Sequence, residues 1–137
     1  ISTEEQIAQA EIKDKLKIST VEFNYLPEGW EFSSYDINLD AAYAIVFYSK
    51  NDLWFNVSMK KNNKENTVGY KFDSDLTNEE TITTTQNISI QLITTGSENE
   101  ESYTAIFENG DDLYCLNGNL SYNEIKEILR GIIILEE

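Results

Sequence analysis

The chain has 137 residues, and its 40% hydrophobic and 12% aromatic content is sufficient for one hydrophobic core. Its 25 acidic residues against 10 basic ones give a formal net charge of −15. Such a charge repels phosphate backbones and anionic lipid, so nucleic-acid and membrane-surface binding are disfavoured, and the apolar content argues against a disordered acidic tail.

Missing residue types narrow the possible chemistry. The chain contains no histidine, which removes the usual general base and the commonest metal ligand. Its single cysteine, Cys115, cannot form an intrachain disulfide or a cysteine-cluster zinc site. Cys115 lies in the alternating run Leu113–Leu116, which favours a small buried hydrophobe over a nucleophile. We therefore expect no catalytic residue, no metal site and no cofactor.

The first predicted element is a helix over residues 3–17. An N-cap signature at Ser2 or Thr3 precedes apolar residues spaced four apart, namely Ala8, Ile12 and Leu16. The only proline, Pro27, stands two places before Gly29 and predicts a turn that leads into the first strand.

The sheet is predicted over about residues 21–117. The face on which apolar side chains fall changes near Ser33–Ser34, which indicates a bulge or a change of partner. Residues 43–48 are apolar on both faces, as in a central strand covered on both sides. Residues 53–59 alternate as a half-buried strand, paired to its predecessor through Lys50-Asn51.

Further strands are predicted around residues 68–72, 87–92, 103–107 and 113–116, with Asp73–Glu80 as a loop. Asn109-Gly110 separates the last two strands and predicts a type I′ turn with positive φ at both residues.

The last element is a helix over residues 121–131. Ser121 and Glu124 form a capping box, and an apolar stripe follows at Ile125, Ile128, Leu129 and Ile132. The fold class we predict is α+β, in a single domain over residues 1–137. It has one antiparallel, meander-like sheet of six to eight strands, with the N- and C-terminal helices packed on one face. A closed barrel is less favoured, because both helices need a surface on which to bury their apolar stripes.

Two segments carry a family resemblance. Tyr25-Leu-Pro-Glu-Gly-Trp30 precedes the first strand, and Tyr114-Cys-Leu-Asn-Gly-Asn-Leu120 follows the Asn109-Gly110 turn and precedes the short final helix. With these features the chain resembles, over roughly residues 20–132, the bacterial domain-of-unknown-function family 4367. Members of that family often have a tryptophan before the turn, where this chain has Phe107.

The resemblance implies a location rather than a reaction. Members are typically extracytoplasmic portions of membrane-anchored proteins of Gram-positive bacteria, so we expect this domain on the outer side of the cell membrane, anchored or secreted. Since the chain starts with Ile1 rather than Met, we expect an anchor or signal segment upstream, and contact with a membrane only through that segment.

Trp54 is the clearest candidate for a binding residue. It interrupts the polar face of its strand, so either a helix or loop covers that face or the ring is exposed as on binding surfaces. Trp30 and Tyr35, after the proline turn, are the other members of the ligand-binding set that we predict.

Acidic residues suggest two weaker alternatives. Asp73–Glu80 spaces oxygen ligands as at the start of a calcium loop, but it lacks that loop's glycine at position six and glutamate at position twelve, so a solvated acidic loop is expected. No carboxylate pair stands out for hydrolysis. We therefore expect a non-catalytic binding or sensing domain for a protein or peptide partner or an envelope component, with a carboxylate-dependent envelope hydrolase as the alternative.

Overall fold

The computed structural model describes residues 2–61, 76–96 and 101–135. The predicted strand at 68–72 lies outside these residues. The elements, in chain order, are α1 (Thr3–Leu16), β1 (Thr20–Phe23), β2 (Glu31–Asn38), β3 (Tyr43–Lys50), β4 (Leu53–Lys61), β5 (Leu76–Thr83), β6 (Ser89–Thr95), β7 (Ser102–Asn109), β8 (Asp112–Gly118), α2 (Tyr122–Arg130) and β9 (Ile132–Leu135).

The main sheet has seven antiparallel strands in the order β2-β3-β4-β8-β7-β6-β5. Directly opposed residues of antiparallel strands point to the same face, so one face can be followed across the sheet. A row of buried register partners crosses five adjacent strands at Val46, Val57, Leu116, Ala105 and Leu92. This row marks the face that carries the core, and the α+β fold class is confirmed.

Both helices pack against this core face. Ile12 of α1 joins the same hydrophobic cluster as Ile125, Ile128 and Leu129 of α2. The side chain of Ser2 caps α1, and the predicted capping box of Ser121 and Glu124 begins α2. The predicted boundaries of both helices are therefore close to the observed ones.

Two short strands were absent from the sequence-based prediction. β1 and β9 form a separate two-stranded antiparallel sheet, with Thr20 opposite Leu135 and Phe23 opposite Ile132. Ile132 is fully buried, as expected, but it lies in β9 beyond the α2 C-cap rather than on the helix. Because the pairing joins the two ends of the chain, no local pattern indicates it.

The predicted bulge is confirmed in β2, where the register with β3 shifts between Phe32 and Ser34. The prediction for β3 was wrong on one point. Alternate residues of β3 are buried, while Tyr43, Ile45 and Phe47 on the other face remain partly exposed. The described residues place no helix over that second face.

The β7–β8 hairpin forms, but its turn is shifted by one residue from the prediction. Asn109 pairs with Asp112, so the two-residue turn is Gly110-Asp111. Gly110 has φ 59, and neither Asn109 nor Asp111 has positive φ. Positive φ at the first central position alone, with glycine there, is typical of type II′ rather than type I′.

The predicted loop Asp73–Glu80 also needs correction. Its residues from Leu76 onward belong to β5, which pairs with β6. Asp73 and Asp75 of the calcium-like pattern lie outside the described residues. β5 ends the strand order of the sheet. An edge strand needs little apolar alternation, which explains why the polar sequence of β5 predicts a loop.

Candidate functional site

The predicted aromatic set does not form one surface. Trp30 is only 6% exposed, its ring centroid lies 5.1 Å from that of Phe55, and its Nε1 donates a hydrogen bond to Glu124 Oε2 at 3.2 Å. Although burial opposes ionisation of Glu124, hydrogen bonds from Trp30 and Ser121 lower the pKa of its carboxyl group. Trp30 is therefore a core residue that joins the proline turn to the start of α2.

Trp54 lies on the other face of the main sheet. Its register partner is Ser49, and the next residue, Phe55, points into the core. Trp54 is 45% exposed. Of the two alternatives, a ring covered by a helix or loop and an exposed ring, the structure therefore shows the exposed ring. A ligand on this face would contact neither Trp30 nor Tyr35.

Tyr35 lies on the core face of β2, opposite Val46. It lines a cavity of about 310 Å³ between α1 and β2, which we call the α1–β2 groove and whose lining residues are Glu4, Ile7, Phe32, Ser33, Ser34 and Tyr35. Ile7 is 56% exposed. The groove is therefore an open, largely apolar surface rimmed by two aromatic rings.

The bulge in β2 brings the two rings together. In a regular strand, residues three apart point to opposite faces, but the extra residue at Ser33 places Phe32 and Tyr35 on the same face. Their ring centroids are 6.5 Å apart, and Phe32 also packs edge-on against Tyr48. A local irregularity of the edge strand thus creates the aromatic wall of the groove.

The opposite wall is α1, which two tyrosine–glutamate hydrogen bonds hold in place. The Tyr48 hydroxyl donates to Glu5 Oε2 at 2.8 Å, and the Tyr35 hydroxyl donates to Glu11 Oε2. Ala8 is buried beside them on the inner face of the helix. Both tyrosines lie on the core face of the sheet, so the two hydrogen bonds attach α1 to that face at two points along the helix.

The pKa values of Glu5 and Glu11 are shifted in opposite directions. Burial raises the pKa of Glu5, although the hydrogen bond from Tyr48 acts in the other direction. Hydrogen bonds from Lys15, whose Nζ lies 2.7 Å from Glu11 Oε1, and from Tyr35 lower the pKa of Glu11. The hydrogen bond to Glu11 in turn raises the pKa of Tyr35. Glu11 is thus an anion at neutral pH on the border of the groove.

A second cavity, of about 450 Å³, opens between β6 and β7. Its lining residues are Asn87, Ile88, Ser89, Gln91, Ile106, Phe107, Glu108, Asn109 and Gly110. Pairing of these two strands ends at Gln91 and Ile106, and the cavity lies beyond that point. Glu108 is its one lining carboxylate, as Glu4 is in the α1–β2 groove.

The described part of the chain contains neither a cluster of metal ligands nor a membrane-spanning helix. Over residues 2–61, 76–96 and 101–135, no group of three histidine, cysteine or acidic side chains is placed to hold a metal ion. Over the same ranges, neither helix has the length and apolar character needed to cross a bilayer. Cys115 is 6% exposed and is buried as expected.

Sequence reasoning identified only one residue of the groove, Tyr35. Phe32 and Ile7 were not among the predicted site residues. The available signal was that Ile7 is a large aliphatic residue outside the stripe formed by Ala8, Ile12 and Leu16. An apolar residue on the outward face of a short helix can mark a binding surface.

Comparison with known proteins places the chain in a family. The sequence model described as Domain of unknown function (DUF4367) matches residues 20–132. No curated protein shows a significant match. The chain therefore belongs to the DUF4367 family.

Proposed function

We propose that this member of the DUF4367 family is a non-catalytic binding module whose ligand, a peptide or a segment of a partner protein, lies in the α1–β2 groove. The observation that carries the proposal is an open apolar groove with an exposed aliphatic side chain and two aromatic rings. Apolar clefts with a few polar groups at the rim are the usual form of binding sites.

The distribution of carboxylates supports binding over envelope hydrolysis. Glycoside hydrolysis needs two carboxyl groups that face one another across a substrate, and each of the two cavities described is lined by a single one. Glu5, whose pKa is raised by burial, lies under α1 against Tyr48 and lines neither cavity.

We also propose that the domain works on the outer side of the cell membrane, held by an upstream anchor or released by secretion. The support is the family resemblance of the Tyr25–Trp30 and Tyr114–Leu120 segments. Protease treatment of intact cells that express the full-length protein tests this location. Cleavage of the domain only after lysis would contradict it.

Binding in the groove can be tested by titrating ¹⁵N-labelled protein with envelope peptides and partner-protein fragments. We expect amide shifts to concentrate at Ile7, Phe32 and Tyr35. Fully burying an exposed aliphatic side chain contributes about 1.5–3 kcal/mol, so Ile7→Ala, which removes most of the side chain that a ligand would cover, should weaken binding about tenfold. Leu39→Ala is the matched control, because Leu39 is a comparably exposed aliphatic residue (60%) that does not line the groove.

Tryptophan fluorescence, recorded with the same ligands, separates the groove from the other candidate sites. Neither tryptophan lines the groove, so a ligand in the groove should leave the fluorescence of exposed Trp54 nearly unchanged. A ligand that quenches Trp54 without shifting the groove amides would place binding on the other sheet face. Turnover of peptidoglycan or peptide substrates would favour the hydrolase.

A further inference from the structure

We infer that the partner of the α1–β2 groove is an extended peptide segment of alternating apolar and basic residues, which pairs with β2 as an additional strand of the main sheet. The inference rests on the proposed function and specifies its mode of recognition. Strand addition supplies affinity through main-chain hydrogen bonds and specificity through alternate side chains.

The position of β2 permits this pairing. β2 ends the strand order of the main sheet and, within the described ranges, pairs only with β3. An edge strand directs the N–H and C=O groups of alternate residues away from its neighbour. Beyond the bulge, Ser34–Asn38 pairs regularly with β3, which leaves a regular outer edge for an incoming strand.

The composition of β2 agrees with this use. Of the features that protect natural edge strands, Glu31–Asn38 has carboxylates and one bulge but neither lysine nor proline, so its charges repel acidic partners and attract basic ones. The other edge strand, β5, contributes no residue to the two cavities described. The bulge at Ser33 limits pairing at the beginning of β2 but leaves Ser34–Asn38 regular.

The side chains on the core face of β2 predict one half of the partner sequence. An added strand would place every second side chain beside Tyr35 and Ile37, which lie on that face. Those side chains would enter the groove between the Phe32 and Tyr35 rings and Ile7. Apolar residues at alternate positions therefore fit this face.

The side chains on the outer face of β2 predict the other half of the partner sequence. Glu31 and Asp36, both exposed, lie on the outer face of β2, opposite Ser49 and Ile45. Opposite charges on neighbouring strands attract, and the whole chain carries a formal charge of −15. A lysine or arginine beside Asp36 would therefore face the one carboxylate on the outer face of Ser34–Asn38, while Glu31 lies before the bulge. Long-range attraction to the acidic chain would speed association of a basic peptide.

The test uses the full chain and the capped peptide acetyl-KVKVKVK-amide, with acetyl-KKKKVVV-amide as a control of the same composition. We expect the alternating peptide to bind about tenfold tighter than the control, because only alternation sends all valines to one face. Bound peptide should also slow amide hydrogen exchange in Ser34–Asn38.

N-methylation of the peptide tests the main-chain pairing directly. Methylating the amides of one alternate set should abolish binding, while methylating the other set should leave it nearly unchanged, since only one set faces β2. If both sets bind equally well, or if the two peptide sequences bind alike, strand addition is wrong although the groove still binds. If no peptide or partner fragment shifts the groove amides, the proposed function itself fails.

Charge variants test the basic half of the partner. Asp36→Lys should weaken binding of the alternating peptide about tenfold at low salt, with a smaller effect at high salt. Asp40→Lys makes the same charge change in the exposed turn after β2 and should change affinity little. Equal effects of the two variants would contradict pairing at β2 and leave only general attraction, and thermal unfolding curves would confirm that both variants fold.

Discussion

Glu5 shows how a single polar side chain decides where a helix sits. It is 6% exposed and lies in the buried stripe of α1, where its carboxyl group accepts a hydrogen bond from Tyr48. An unpartnered buried carboxylate would be costly, and this contact offsets part of that cost.

The raised pKa of Glu5 predicts a pH dependence of stability. A carboxyl group with a higher pKa in the folded than in the unfolded state stabilises the fold fully below the unfolded value, here 4.5, and that contribution is lost as the pH rises through the folded pKa. Glu5→Gln keeps an acceptor for Tyr48 and removes the titration.

The variant should therefore gain thermal stability relative to the native chain as the pH rises above 4.5. Glu4→Gln is the matched control, because Glu4 is exposed on the same helix turn. The measurement is the melting temperature from acidic to neutral pH. A constant difference between Glu5→Gln and the native chain would contradict burial of an ionisable Glu5.

Gly118 illustrates a constraint that comes from a neighbouring strand. A Cβ atom at this position would lie 2.4 Å from the Phe55 Cα and from the Trp54 carbonyl oxygen. Because backbone atoms cannot move aside as a side-chain end can, Gly118→Ala should cost about 3 kcal/mol or more. Urea unfolding measures this cost.

Gly110→Ala provides the comparison for Gly118. No atom would lie within 4 Å of a Cβ at Gly110, whose φ is 59, so only the positive-φ backbone of the turn opposes the substitution, at about 1–3 kcal/mol. A smaller loss of unfolding free energy for Gly118→Ala than for Gly110→Ala would show that β4 and β8 separate more readily than the structure indicates.

At the scale of elements, α2 follows most closely from its own sequence. Its capping box is present as predicted, and so are three of the four stripe residues, Ile125, Ile128 and Leu129, because capping and helical periodicity depend on residues three to four apart. Ile128 is fully buried, so Ile128→Ala should cost about 2–5 kcal/mol. Exposed Glu127 supplies the control, and a comparable loss for Glu127→Ala in urea unfolding would contradict docking through Ile128.

β1, β5 and β9 are the elements that sequence reasoning missed or misassigned. β1 and β9 are four residues each and pair with one another, and neither sequence shows a turn signal that connects it to its partner. β5 is polar and lies at the sheet edge. Short strands with distant partners and edge strands carry weak local patterns, because their pairing is decided by contacts formed elsewhere.

At the scale of the molecule, polar contacts connect the small sheet to the large one. Asp112, buried at the start of β8, accepts hydrogen bonds from Ser19 N at 3.0 Å and from Lys61 Nζ at 2.7 Å. The Gln86 side chain accepts one from Ile134 N at 2.8 Å. These contacts hold the small β1–β9 sheet over the core face of the main sheet, beside the two helices.

The sequence by itself determined the features that depend on near neighbours. These are the helix caps, the β2 bulge, the β7–β8 hairpin apart from the position and type of its turn, and the apolar content sufficient for a core. Each rests on residues within a few positions of one another, whose backbone preferences act before any tertiary contact forms.

Only the tertiary structure decided the features that involve distant residues. It buried Trp30, left Trp54 exposed, and placed Tyr35 with Phe32 and Ile7 in one groove. It also paired the two ends of the chain in the β1–β9 sheet. The physical reason is that packing of α1 on β2 and pairing of β1 with β9 join segments far apart in the chain, and their gain must exceed the entropy lost in closing those loops.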